Sequence, residues 1–296
     1  MDNENYEDFE EDFYDYEEPE QEREPDEYEI SATERLRKFF KKYKNSVFVT
    51  KQLQVLFESH YFHWVTYRAL CNLEDEDGLI KRTTHKFHKI EAEIRFHRSN
   101  RYHIRKTQRL MGVVRAYSNE NISWACGMEA NNLFYIALSQ RDFKYHGKDI
   151  NKFKRRKWTQ TEHNLDYIIE RDNIIYGVEI KNTFDYIDKE EMEIKIKICK
   201  HLGIKPLFIV RWSPQSYINE IFKVGGFALL FETKIFPLAL KPLVEKINNE
   251  QYLPYTNDKL VLKGRKVRKI CDTPKAIPDG IIDRFEKWHE KQVNSK

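Results

Sequence analysis

Two apolar runs around a two-residue turn constrain this chain most. Residues 164–171 (Asn-Leu-Asp-Tyr-Ile-Ile-Glu-Arg) and 174–182 (Ile-Ile-Tyr-Gly-Val-Glu-Ile-Lys-Asn) flank Asp172-Asn173, a strand–turn–strand pattern. The spacing predicts a helix over 188–202, with Gly203 placed to end it. A mostly apolar strand follows over 205–212. Such a run, reached through a helix, belongs in a sheet covered on both faces. A helix over 127–140 is expected before the hairpin. A short helix over 214–224, a Gly225-Gly226 turn and a strand over 227–231 come after it. This order implies the α/β class, a mixed sheet flanked by helices. Beyond it, helices are expected over 239–248 and 279–292.

The first hundred residues read differently. Ser31-Ala-Thr-Glu34 is a capping box, followed by Leu36, Phe39, Phe40 and Tyr43 at helical spacing. Thr50 can cap a second helix over 51–58, and a third runs over 62–74. Alternating runs Ile90–Phe96 and Tyr102–Ile104, joined by polar residues 98–101, signal a hairpin. Three short helices and a hairpin follow the order of a small winged helix-turn-helix domain, with the third helix and the wing facing DNA. The expected boundaries are a disordered acidic tail at 1–29, a winged-helix-like domain at 30–112, the sheet domain at 113–240 and a C-terminal helical extension at 241–296.

Charge is segregated along the chain. Residues 1–30 hold 16 acids and one base, a net of −15. Residues 31–296 hold 50 bases and 32 acids, a net of +18. A basic body of this kind points to a nucleic-acid partner. Residues 81–115 carry 11 Lys/Arg against Glu91 and Glu93. Candidate phosphate contacts are Lys81, Arg82, Lys86, Arg98, Arg101 and Arg105 on this ribbon, and Lys154, Arg155 and Arg156 on a second basic stretch, 141–157. No apolar segment is long enough for a membrane span. No apolar leader follows Met1, so secretion is not expected. The four cysteines lack metal or disulfide spacing, which fits a cytoplasmic or other reducing compartment.

Asp166 lies on the first strand of the central hairpin, and Glu179 and Lys181 lie on the second. Alternation puts Glu179 and Lys181 on one face, within reach of Asp166. Two carboxylates beside an ammonium suit Mg²⁺, with Mn²⁺ as an alternative, and phosphodiester hydrolysis. Glu179 stands between Val178 and Ile180, where an unpaired charge is costly. Glu129, on the preceding helix, is a candidate third acid.

Asp166-x12-Glu179-Ile-Lys181, together with the element order, resembles the PD-(D/E)XK signature of restriction-endonuclease-like nucleases over residues 120–235. The resemblance implies Asp166, Glu179 and Glu129 as metal ligands, Lys181 as the catalytic lysine, and a DNA endonuclease acting as a homodimer. RNA is left open as a substrate. The alternative is a DNA-binding regulator or recruitment protein with an inactive nuclease-like domain. Leu165 stands where some members carry Pro, and Lys195-x3-Cys199 departs from the Gln-x3-Tyr of the RecB-like branch. Lys195, Lys197 and Lys200 are read as a solvated helix face or as phosphate contacts. The acidic arm has a target in the basic body. Deleting residues 1–29 is expected to tighten non-specific DNA binding in a low-salt titration; unchanged affinity would leave the arm a plain solubilising tail.

Overall fold

The computed structural model describes residues 24–75, 78–87, 90–248 and 270–295. Most of the acidic arm, residues 1–23, lies outside the described residues, as does Pro254. Helix α1 (Glu27–Lys42) starts four residues before the expected capping box. Asp26 is its cap and accepts the Glu29 N–H at 2.9 Å. Glu29 is itself buried and takes the Asn72 amide at 2.9 Å. A deletion that spares α1 therefore stops at residue 23.

Strand β1 (Val47–Val49), α2 (Thr50–Phe57), α3 (His63–Asp75), β2 (Ile80–Phe87) and β3 (Ile90–His97) complete the first unit. Its antiparallel sheet has the order β1-β3-β2. One face packs on α1–α3 through Leu36, Phe40, Phe48 and Leu70. The hairpin is β2–β3, not Ile90–Phe96 with Tyr102–Ile104. Only Ile80 of β2 is buried, because β2 is an edge strand wet on both faces, so it shows no apolar alternation. Residues 102–104 instead open α4 (His103–Tyr117), whose Leu110, Met111, Val114 and Tyr117 cover the second face of the sheet. A run of three alternating residues is too short to separate a strand from a helix start.

Helix α5 (Glu120–Ser139) begins earlier than expected, capped by Asn119, which accepts the Asn121 N–H at 2.9 Å. Next come β4 (Lys144–Ile150), a small hairpin of β5 (Lys152–Phe153) and β6 (Arg156–Lys157), then β7 (Leu165–Arg171) and β8 (Ile174–Lys181). Helix α6 (Lys189–Leu202), β9 (Lys205–Val210), α7 (Gln215–Lys223) and β10 (Phe227–Leu230) follow. The sheet order is β10-β9-β8-β7-β4, parallel from β10 to β8 and antiparallel from β8 to β4. The basic stretch at 141–157 therefore holds an unexpected edge strand, β4, legible only through Gly147 and Ile150. Asp172 and Asn173 both take left-handed φ (52° and 57°), as a tight two-residue hairpin requires. Gly203 ends α6 at φ 73°.

The described residues of the C-terminal extension pack on both cores. Strands β11 (Lys234–Ile235) and β12 (Cys271–Asp272) pair in parallel, and α8 (Lys241–Lys246) sends Val244 into the core shared with α4. Helix α9 (Asp279–Asn294) lays Ile282 and Phe285 on the large sheet. Its fully buried His289 contacts the Tyr176 hydroxyl at 2.8 Å and Asp172 Oδ2 at 2.9 Å. Across the expected boundary at 112, Ile94 and Phe96 share one core with Val114, Cys126 and Phe236.

The two sheets are also joined by charge. Arg211, just past β9, is fully buried and forms two 2.7 Å bonds with Glu58 at the end of α2. It also donates to the Thr183 and Phe184 carbonyls at 2.7 and 2.9 Å. Burial pushes Glu58 up, but Arg211 and then His63 outweigh it and hold its carboxyl below the usual value. Burial likewise depresses His63, which stacks on Tyr186 at 4.1 Å. Glu58→Ala leaves the guanidinium unpaired and is expected to cost about 3–5 kcal/mol in denaturant melts. A lowered carboxylate stabilises above its unfolded value and loses that contribution as pH falls through the folded one. A depressed His63 likewise loses stability below its unfolded value. The wild type should therefore destabilise more steeply in acid than Glu58→Gln, as thermal melts at descending pH would read.

Candidate functional site

The β7–β8 ladder ends at Tyr167 opposite Val178, and Asp166 and Glu179 are the next residues on the two strands. Here the strands part. The Asp166 carboxylate occupies the opening, its Oδ2 accepting the Ile180 N–H at 2.6 Å. Tyr167, Val178 and Ile180 point into the core beneath α5 and α9. Glu179 and Lys181, alternating with them, face α6, where Lys195 and Glu191 meet them. Gly177 lets α6 approach: a Cβ there would meet Leu165 Cδ1 at 2.6 Å and Cys199 Sγ at 2.8 Å.

Glu179 is buried, at 3% exposure. Its Oε1 lies 3.7 Å from Lys181 Nζ, and its Oε2 lies 2.7 Å from Nζ of Lys195 on α6. Lys195 also donates to the Asn164 carbonyl. The Lys195 ammonium is thus the partner of the buried Oε2 and offsets part of the Glu179 charge. Lys181 in turn pairs with Glu191 Oε1 at 2.7 Å. Burial, reinforced by Asp166, raises Glu179 to about 7 against the pull of Lys195 and Lys181. Burial also raises Asp166, opposed by the Ile180 N–H, by Lys195 and Lys181, and by the Asn131 side chain of α5. Lys181 loses by burial but gains more from Glu179 and Glu191, so its ammonium is strengthened.

The structure thus brings Asp166, Glu179 and Lys181 together. It does not gather Glu129 with them: half-buried, Glu129 acts on Cys126, and the α5 side chain beside Asp166 is Asn131. Among the described residues no three His, Cys, Asp or Glu side chains form a metal-holding group. Lys195 departs from the expected solvated helix face. It is buried in an ion pair rather than part of a solvated face, while Lys197 and Lys200 are exposed. Met192, Lys195, Ile198 and Leu202 recur at helical spacing, a signal that places Lys195 on the inward side of α6.

The basic ribbon is only partly available. Arg95 is fully buried among Glu74, Glu93 and Thr50. Arg82 pairs with Glu93 at 3.1 Å and Lys86 with Glu91 at 3.0 Å, whereas Lys81, Arg98, Arg101 and Arg105 are exposed. Lys154 and Arg155 are exposed on the β5–β6 turn, and Arg156 donates to the His201 carbonyl at 3.3 Å. The expected DNA-facing helix, α3, has Arg68 as its one Lys/Arg, and its His63 is committed to the junction with Tyr186. Comparisons with protein-family models, curated proteins and solved structures find no match to this chain.

A buried carboxylate beside a second one is a burden on the fold unless a cation offsets it. Asp166→Asn, which removes the second charge and keeps the Glu179–Lys195 pair, is therefore expected to raise the melting midpoint of the metal-free protein at pH 8 by about 2–4 °C, the shift that about 1 kcal/mol produces in a large domain. A lower midpoint would mean that the charged form stabilises the fold.

Proposed function

We propose that this chain is a metal-dependent DNA endonuclease, with a restriction-endonuclease-like sheet domain and a winged-helix-like N-terminal unit that positions it on DNA. The observation that carries this reading is the neighbouring Asp166 and Glu179 carboxylates where the β7–β8 ladder ends, with Lys181 and Lys195 beside them. The order α5, hairpin, α6, β9 supports the PD-(D/E)XK likeness.

The donor set fits a hard divalent cation. Two carboxylates, Asp166 and Glu179, lie close enough for one to oppose the ionisation of the other, and their oxygens are the hard donors such an ion takes. Asp166 and Glu179 would hold Mg²⁺ or Mn²⁺, with Asn131 rather than Glu129 as the α5 side chain beside them. The bound ion supplies charge against the phosphate and a more acidic water. Lys181, kept protonated by Glu179 and Glu191, stabilises negative charge building on the phosphate oxygens. Lys195 fixes Glu179 from the opposite side, and the Ile180 N–H fixes Asp166. Cutting both strands of a duplex calls for two such sites, so the reading includes a homodimer.

Asp166→Ala and Lys181→Ala should each lower Mg²⁺-dependent plasmid cleavage by about 10²-fold or more. Duplex binding, measured in chelator, should stay within about two-fold, since neither residue belongs to the phosphate-contact surface. Variants that cut as fast as wild type would refute the site.

A further inference from the structure

One acid-free stretch of surface positive charge lies on neither of the elements that a winged helix-turn-helix presents first. Residues 94–119 contain seven Lys/Arg and no Asp or Glu, and all but Arg95 are exposed. They run from the end of β3 along α4. The end of α1 adds to the patch: His97 is held below its ordinary value by partial burial and then by Arg98, Lys44 and Lys41. A depression of about 400 Å³ at the base of the hairpin is lined by Lys81, Arg98, Arg101 and His103, among others.

Two apolar side chains stand out of this basic field. Tyr102 is 70% exposed and Ile104 64%. Their placement is ordered. Asn100 is buried, donates to the Ser46 carbonyl at 3.0 Å and accepts the Tyr102 N–H at 3.1 Å. His103, between them, turns inward and stacks on Phe96 at 4.2 Å with an 8° interplanar angle. The turn thus holds an aromatic ring and an aliphatic chain outward between Arg101 and Arg105.

We infer that the start of α4 is a second nucleic-acid surface, where Tyr102 stacks on an unpaired base while Arg98, Arg101 and Arg105 hold the flanking phosphates. Its ligand is DNA with single-stranded nucleotides beside a duplex. Phosphate contacts alone need no apolar groups, and a closed duplex offers Tyr102 no base face. An unpaired base does, and an adjacent aliphatic residue can wedge against the last stacked pair. The absence of acids from the surface residues of 94–119 fits a polyanion rather than a protein partner. This inference rests on the reading of the chain as a DNA-acting protein, and it names the form of DNA.

The test is fluorescence anisotropy on the full chain in chelator. It uses a blunt duplex and the same duplex carrying a single-stranded tail. Wild type should bind the tailed probe more tightly. Tyr102→Ala should weaken that binding about ten-fold or more and change blunt-duplex binding by less than about two-fold, whereas Tyr102→Phe should retain the wild-type preference. Arg101→Ala with Arg105→Ala should weaken both probes and flatten the salt dependence. Equal wild-type affinity for the two probes, no loss in Tyr102→Ala, binding of neither probe, or tighter binding of a tailed RNA would each overturn the inference. Because binding is read without cleavage, a protein that shows the Tyr102 effect but cuts nothing refutes the nuclease reading and leaves this surface standing. A protein that cuts through Asp166 but shows no Tyr102 effect does the reverse.

Discussion

Arg211 has no exposed side-chain surface and meets Glu58 through two bonds of equal length. A guanidinium in such a place is tolerable only when its carboxylate and carbonyl partners are all present. The partners come from separate regions of the chain: Glu58 from the end of α2, and the Thr183 and Phe184 carbonyls from the segment after β8. Arg211 N–H also donates to the Lys181 carbonyl at 3.0 Å. The ion pair that docks the N-terminal unit is therefore bonded directly to the strand end that carries Lys181. Asn182, between them, bonds the Cys126 and Ile235 carbonyls at 2.8 and 2.7 Å. The orientation of the first unit and the shape of the site edge are thus set by one connected set of buried polar bonds.

The site itself works against the fold. Neighbouring carboxylates in an apolar hairpin would be separated or neutralised if stability alone mattered. Here two lysines offset part of the repulsion, and Glu179 still lies well above its usual range. Groups held in that state cluster at functional sites. Lys195 contributes to both ends of the balance: it offsets the charge of Glu179, and its own burial is supported by the Asn164 carbonyl.

Much of the sheet domain was legible because its signals are local. The hairpin at 165–181, the Asp188-capped helix ended by Gly203, and the apolar β9 appear within a residue or two of expectation. Edge strands were harder. β2 and β4 are solvated on most positions and carry no alternation that distinguishes them from basic loops. Helix α4 was hidden behind a three-residue run that mimicked a strand. Arg95 read as one more ribbon charge, but it lies opposite Phe48 on the covered face of β3, where Glu74 of α3 neutralises it.

Strand parity by itself determined that Glu179 and Lys181 share a face, and the two-residue turn determined that Asp166 meets them, because both are properties of a few adjacent residues. The sequence equally determined the split between an acidic arm and a basic body. Only the tertiary structure decided which charges serve as partners and which stay free for a ligand. Lys195 and Glu191 arrive from α6, Asn131 from α5, and Glu58 from across the chain. Tyr102 faces water because α4 turns His103, rather than its neighbours, onto Phe96. These are distances between elements, set by how helices pack on sheets, and no short stretch of residues encodes them.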